Sequence, residues 1–237
     1  MHGKFIYKIL DKNIILFRNY QYMIGICGIK SMEKLENLPY FNKHSSKELI
    51  GKTGRNLDAK ILQLTKKGYF VPLKNGVYTS SVFYNSQDNK GGYLEFLSNV
   101  LRYPSYISLE YVLYLNGAIP DAVQSITAVS IKTPRVYKNK LGIFIYRNIK
   151  EDLFTGFTIN KTGTFNIKTA TKSKALFDYL YLKRDISQNL KYEIEEGMRI
   201  NWDIFSKEDL IEFYTYCKIA NSNKMNKIYK IMQSIII

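Results

Sequence analysis

Cysteine is nearly absent. Cys27 and Cys217 are the only two, far apart in the chain. Their spacing supports neither a disulfide framework nor a zinc site, and a reducing, cytoplasmic setting is expected. Histidine is equally scarce, with only His2 and His44. No Ser/His/Asp or Cys/His set can be assembled from them, and His44 reads as a loop residue ahead of a helix cap. A glycine-rich loop leading to a phosphate-binding lysine is missing. So is the carboxylate pair of a magnesium nuclease: Asp121 is followed by Ser130-Ile131-Lys132, and Ser130 stands where the second acid is needed. Glu193, Glu195 and Glu196 read as a solvated helix face. These gaps argue against an enzyme. No catalytic residue, metal ligand or cofactor is expected.

Long hydrophobic runs are missing too. The most apolar stretch, Ile14 to Ile29, is interrupted by Arg18, Asn19 and Gln21. It is too short and too polar to span a bilayer. No small-residue cleavage site follows it, so no membrane partner is expected. Residues 1–31 read as an N-terminal extension, and Met32 opens the first clean helical pattern.

What is present is an apolar fraction of 46%, enough to build a core in one large domain or two small ones. The formal net charge is +15, which favours a polyanionic partner. Only seven of the 35 basic residues are arginines. The lysine-rich, isoleucine-rich, tyrosine-rich composition is also what an AT-rich genome produces without selection for binding, so charge alone leaves both explanations standing. Residues 1–31, 32–80 and 81–237 carry +4, +5 and +6, which concentrates positive charge in the first third.

A short amphipathic helix is expected from Met32 to Leu38, stopping before Pro39. Ser45 or Ser46 can cap a helix over Lys47–Ile50. Gly51 to Gly54 is a turn. Thr53 can cap a longer helix, Arg55 to Lys67, with Leu57, Ile61 and Leu64 on one buried stripe and Gly68 ending it. Tyr69–Val71 and Val77–Thr79 read as strands joined by Asn75-Gly76, a type I′ hairpin signal. Helix, helix, turn, helix, hairpin is the order of a winged helix-turn-helix, expected over residues 32–82. In such a module the second helix of the motif enters the major groove. Arg55, Asn56, Lys60 and Gln63 are its candidate base readers. Lys52, Thr53, Lys74 and Asn75 are candidate phosphate or minor-groove contacts. Double-stranded DNA is the expected partner.

Residues 80–92 read as a linker. Beyond it lies a larger mixed domain, 83–237, so the whole is α+β. Helices are expected from Tyr93 to about Arg102 and, capped by Ser108, from Leu109 to Leu115. Strands are expected at Ser125–Lys132 and Gly142–Arg147, with two more around Lys161-Thr162-Gly163. Thr171 caps a helix to Leu182, and a helical tail breaks near Gly197 and Asn221.

Five blocks, in order, resemble one family. They are Leu62–Tyr78; Tyr106–Glu110 with Asn116–Val123; Ile126–Arg135; Gly142–Lys150 with Leu153–Phe157; and Ala170-Thr171 with Lys174–Leu182. Together they are similar to the AbiEi-type antitoxins of type IV, abortive-infection toxin–antitoxin systems, over about residues 33–185. Lys172-Ser173 stand where that family often has Pro-Glu, Asn148 where it often has His, and Pro72 and Asn75 where it often has Arg. The resemblance implies an autorepressor that binds inverted repeats in its own promoter. It also implies an antitoxin that opposes a nucleotidyltransferase toxin without a stable complex. Within the blocks, Ser108, Glu110, Arg147 and Asp178 are candidate antitoxicity residues, and capping or packing explains each equally well. A stand-alone regulator and a metal-dependent nuclease are the alternatives.

Overall fold

The helix expected to open at Met32 begins three residues earlier. In the computed structural model, which describes residues 29–184 and 189–236, α1 spans Ile29–Glu36. Of the expected N-terminal extension, residues 1–28 lie outside the described residues. The chain divides into two compact units, one ending at Asp88 and the other beginning at Asn89.

In the first unit a two-residue strand, β1 (Phe41–Asn42), precedes α2 (Lys43–Ile50). Neither serine caps α2. Asn42 does, its Oδ1 accepting the Ser45 N–H at 2.9 Å. An Asn side chain reaches the orphan amides of a first turn as readily as Ser does. Ser46 is instead buried and donates to the Asn42 carbonyl at 3.0 Å. His44 sits on α2, 3.2 Å from Glu48 one turn on. Gly51, at φ 68°, ends the helix in the left-handed region.

α3 (Gly54–Lys66) follows, buried through Leu57, Ile61 and Leu64. Thr53 takes the N-cap position with extended backbone but makes no side-chain capping bond. β2 (Phe70–Lys74) and β3 (Val77–Ser80) form the hairpin, and the sheet order is β1-β3-β2. Pro72 is tolerated because β2 is an edge strand. The turn departs from type I′, which needs positive φ at both central residues. Only Gly76 is left-handed, and a register shift between Pro72 and Lys74 takes up the difference.

The first unit's core is Met32, Leu35, Phe41, Ile50, Leu57, Ile61, Leu64 and Phe70. Phe41 meets Phe70 edge-on at 4.7 Å and stacks on Tyr78 at 6.0 Å. A short helix, α4 (Ser81–Ser86), capped by Ser80, occupies the stretch read as a linker.

The second unit is built on one mixed sheet. Its longer helices and its strands are α5 (Lys90–Leu101), β4 (Ser105–Ile107), α6 (Glu110–Leu115), β5 (Ser125–Ser130), β6 (Arg135–Asn139), β7 (Gly142–Asn148), β8 (Phe157–Thr162), β9 (Phe165–Ala170), α7 (Lys172–Leu182), α8 (Lys207–Ala220) and α9 (Asn223–Ile235). The strand order is β6-β7-β5-β4-β9-β8. β4 and β6 were not anticipated. β8 and β9 turn at Gly163, and Thr171 caps α7 as expected. A π-helical turn at Glu193–Gly197 and a left-handed Asn221 mark the breaks expected in the tail.

The register assigns the two faces of the sheet. Tyr106 pairs with Val129, and Val129 with Arg147. Ile107 pairs with Ala128, and Ala128 with Tyr146. Paired residues share a face and neighbours along a strand alternate. Tyr146 donates to the Ser98 carbonyl of α5, and Tyr106 donates to Asp178 of α7. Helices α5 and α7 therefore cover opposite faces.

Phe41→Ala should cost about 3–5 kcal/mol, seen as a lower urea midpoint for the first unit. A loss near zero would show that the aromatic cluster does not hold it together.

Candidate functional site

Two clusters carry chemistry, one in each unit. In the first, α3 turns Leu57, Ile61 and Leu64 inward, so at 100° per residue the line directly opposite is Arg55, Ala59, Leu62 and Lys66. All four are exposed, Leu62 by 54%. Asn56 and Gln63 are exposed beside that line, and Lys60 lies further round, half-buried. Lys60 donates to Gln63 at 3.2 Å, so two expected readers hold one another. Lys52 and Thr53 are exposed ahead of the helix. At the hairpin tip Asn75 is exposed and Lys74 is half-buried. Asp58, on the other flank, is engaged by Lys43 at 2.5 Å, which offsets its negative charge on an otherwise basic surface. Ala59 and Leu62 carry no polar group that would mark them as readers, but their spacing from the buried stripe places them in the middle of the wet face.

In the second unit the structure brings Ser108 and Asp178 together. Asp178 is fully buried on α7. Its Oδ1 accepts from Lys174 Nζ at 2.6 Å, and its Oδ2 accepts from Ser108 Oγ at 2.7 Å and Tyr106 Oη at 2.9 Å. Lys174 is also fully buried, its ammonium 4.9 Å from the ring centres of Phe177 and Tyr216. Burial pushes the Asp178 carboxyl up and the Lys174 ammonium down, and each partner opposes the shift of the other. Gly156 lies against this cluster at φ +75°, where a Cβ would stand 2.3 Å from Tyr216 Oη. Lys172 pairs with Asp209 at 2.7 Å and Ser173 donates to the Asp209 carbonyl at 2.7 Å. The two residues that depart from the resembled motif thus tie α7 to the start of α8.

Ser108 was expected to cap a helix. It does not: the chain turns at Leu109, with φ 64° and ψ −144°, and α6 starts at Glu110 with no side-chain cap. Positive φ is costly for a branched residue, and such strain persists only where surroundings over-determine it. Thr127 supplies that restraint. Its Oγ1 donates to the Ser108 carbonyl at 2.6 Å and accepts from Tyr111 N at 3.0 Å, while its carbonyl accepts from Ser108 N at 3.1 Å. The strained position is a leucine, so this strand–turn–helix elbow presents no nucleophile.

The turn delivers Glu110 to Arg147, 2.9 Å away. The two candidates line a cleft of about 700 Å³ together with Tyr179, Lys183 and Arg184. Burial and the Glu110 carboxylate raise the Tyr179 phenol. Asp121 is exposed, and Ser130 Oγ donates to the Pro104 carbonyl at 2.7 Å. Among the described residues no three His, Cys, Asp or Glu side chains are placed to share a metal ion, and no helix is long and apolar enough to cross a membrane.

Comparison with protein-family models and with curated proteins finds no match to this chain.

Lys174→Met should destabilise the protein by about 3–5 kcal/mol, because it leaves a buried carboxylate uncompensated. Adding Asp178→Asn should return part of that loss, with a coupling of about 0.5–3 kcal/mol in urea denaturation. Additive losses would show that the two side chains are energetically independent.

Proposed function

We propose that the first unit is a winged helix-turn-helix that binds double-stranded DNA and that the chain represses its own promoter. The observation that carries this is the wet face of α3. A helix held by one apolar stripe presents Arg55, Asn56 and Gln63 outward, at the place where a recognition helix meets base edges. The order helix, strand, helix, helix, hairpin and the β1-β3-β2 sheet support the module. Lys52 and the free amides of the first turn of α3 suit a phosphate. Lys74 and Asn75 at the hairpin tip suit a second strand of the backbone. Ala59 and Leu62 add an apolar centre that fits thymine methyl groups.

The second unit, on the strength of the blocks that resemble AbiEi-type antitoxins, acts as the antitoxin against a nucleotidyltransferase toxin, with no stable complex required. A nucleotidyltransferase encoded beside this gene should arrest growth when expressed alone and should be tolerated when this chain is co-expressed. A neighbouring toxin that is harmless by itself would remove the antitoxin role.

In gel shifts with the DNA upstream of its own gene, Arg55→Ala and Lys60→Ala should each weaken binding by about 1–3 kcal/mol. Leu62→Ala should weaken binding to thymine-containing duplex and leave binding to a uracil-substituted duplex unchanged. Unaltered affinity in all three variants would eliminate α3 as the reading element.

A further inference from the structure

The cleft beside the Glu110–Arg147 pair is lined, among the described residues, by the second unit alone. From it we infer a binding site for a nucleoside phosphate. Three cations, Arg147, Lys183 and Arg184, face it against one carboxylate, Glu110. Arg147 is engaged by Glu110 through one guanidinium nitrogen, which leaves further donors on its planar fork. Lys183 and Arg184 pair with no carboxylate among the described residues. An anion carrying more than one charge is the natural complement.

The carboxylate narrows the ligand further. Glu110 Oε1 is taken by Arg147, but Oε2 is buried and accepts no hydrogen bond. A buried acceptor without a donor costs about 1–3 kcal/mol. A sugar hydroxyl or a base amine carries such a donor. The same wall holds Tyr179, a half-buried ring that carries Lys183 Nζ at 5.7 Å from its centre. An aromatic face beside cations accepts a base by stacking. A cleft of about 700 Å³ lies in the range of small-molecule sites, about 300–1,000 Å³.

The geometry is fixed in advance. The turn at Leu109 sets the direction of Glu110, and Thr127 and the buried Asp178 hold that turn. Asn148, on the rim, spends its amide on the Ile131 and Lys132 carbonyls, so the neighbouring backbone is pinned as well. A site so built recognises phosphate by charge, ribose or base by the Glu110 acceptor, and the base plane by Tyr179.

Titration calorimetry of the full chain with ADP, GDP, CDP and UDP, with inorganic phosphate and adenosine as controls, tests the site. At least one diphosphate should bind, and both controls should bind about tenfold more weakly or not at all. Arg184→Ala, at an exposed position, should weaken that binding about tenfold while promoter binding in gel shifts stays the same. Glu110→Gln should weaken it too, because a donating NH2 group replaces one of the two accepting oxygens. Silence with all four nucleotides overturns the inference. So does inorganic phosphate binding as well as the nucleotide, which reduces the cleft to an anion patch. Equal loss of nucleotide and DNA binding in Arg184→Ala also overturns it, since the cleft would then be part of a nucleic-acid surface.

Discussion

A carboxylate with no access to water organises the second unit. Asp178 is surrounded by three donors, from Lys174, Ser108 and Tyr106, and none of them is solvated. Removing an ion from water costs several kcal/mol, which only close and complete pairing can offset. Every element that supplies a donor is therefore constrained to its place. Tyr106 fixes β4 to α7. Ser108 fixes the turn after β4. Lys174, one helical turn before Asp178, fixes the rotation of α7 about its own axis. The strained Leu109 follows from this, and Glu110 follows from Leu109. The pairing of Glu110 with Arg147 at the cleft is thus a downstream consequence of one buried acid.

The first unit depends on simpler physics. Its helices are short, and its core is a handful of aliphatic and aromatic side chains around Phe41 and Phe70. Apolar burial orients α3, and nothing specific is needed on the other side for the fold to form. The wet face is therefore available for selection on function. Its sequence has arginine and lysine at the ends and alanine and leucine in the middle, the arrangement on which the proposed duplex reading rests.

Much of this was legible in the sequence, for identifiable reasons. α3 was readable because Leu57, Ile61 and Leu64 repeat at helical spacing over about two turns. The α7 boundaries were readable because Thr171 opens the helix. Short elements were not. β1 has two residues, and β4 has three that are all buried, so neither shows alternation. β6 is an edge strand with mostly exposed residues, so it resembles a loop. The cap at Asn42 is masked in the sequence because Ser45 and Ser46 offer the same capping chemistry nearby. The Lys174–Asp178 pair was hidden for a different reason. A spacing of four on a lysine-rich helix describes a solvated surface pair, and only packing against β4 and α8 turns it into a core interaction. Likewise no local pattern reveals that a leucine would occupy left-handed backbone.

The proposed role of the first unit is to read duplex DNA with one helix and one hairpin tip. Amide chemical-shift mapping of the full chain, titrated with duplex from its own upstream region, addresses it residue by residue. Binding by this surface predicts perturbations concentrated at residues 51–63 and 74–76, with the amides around Asp178 unmoved. Perturbations confined to the second unit, or none at saturating duplex, would contradict it.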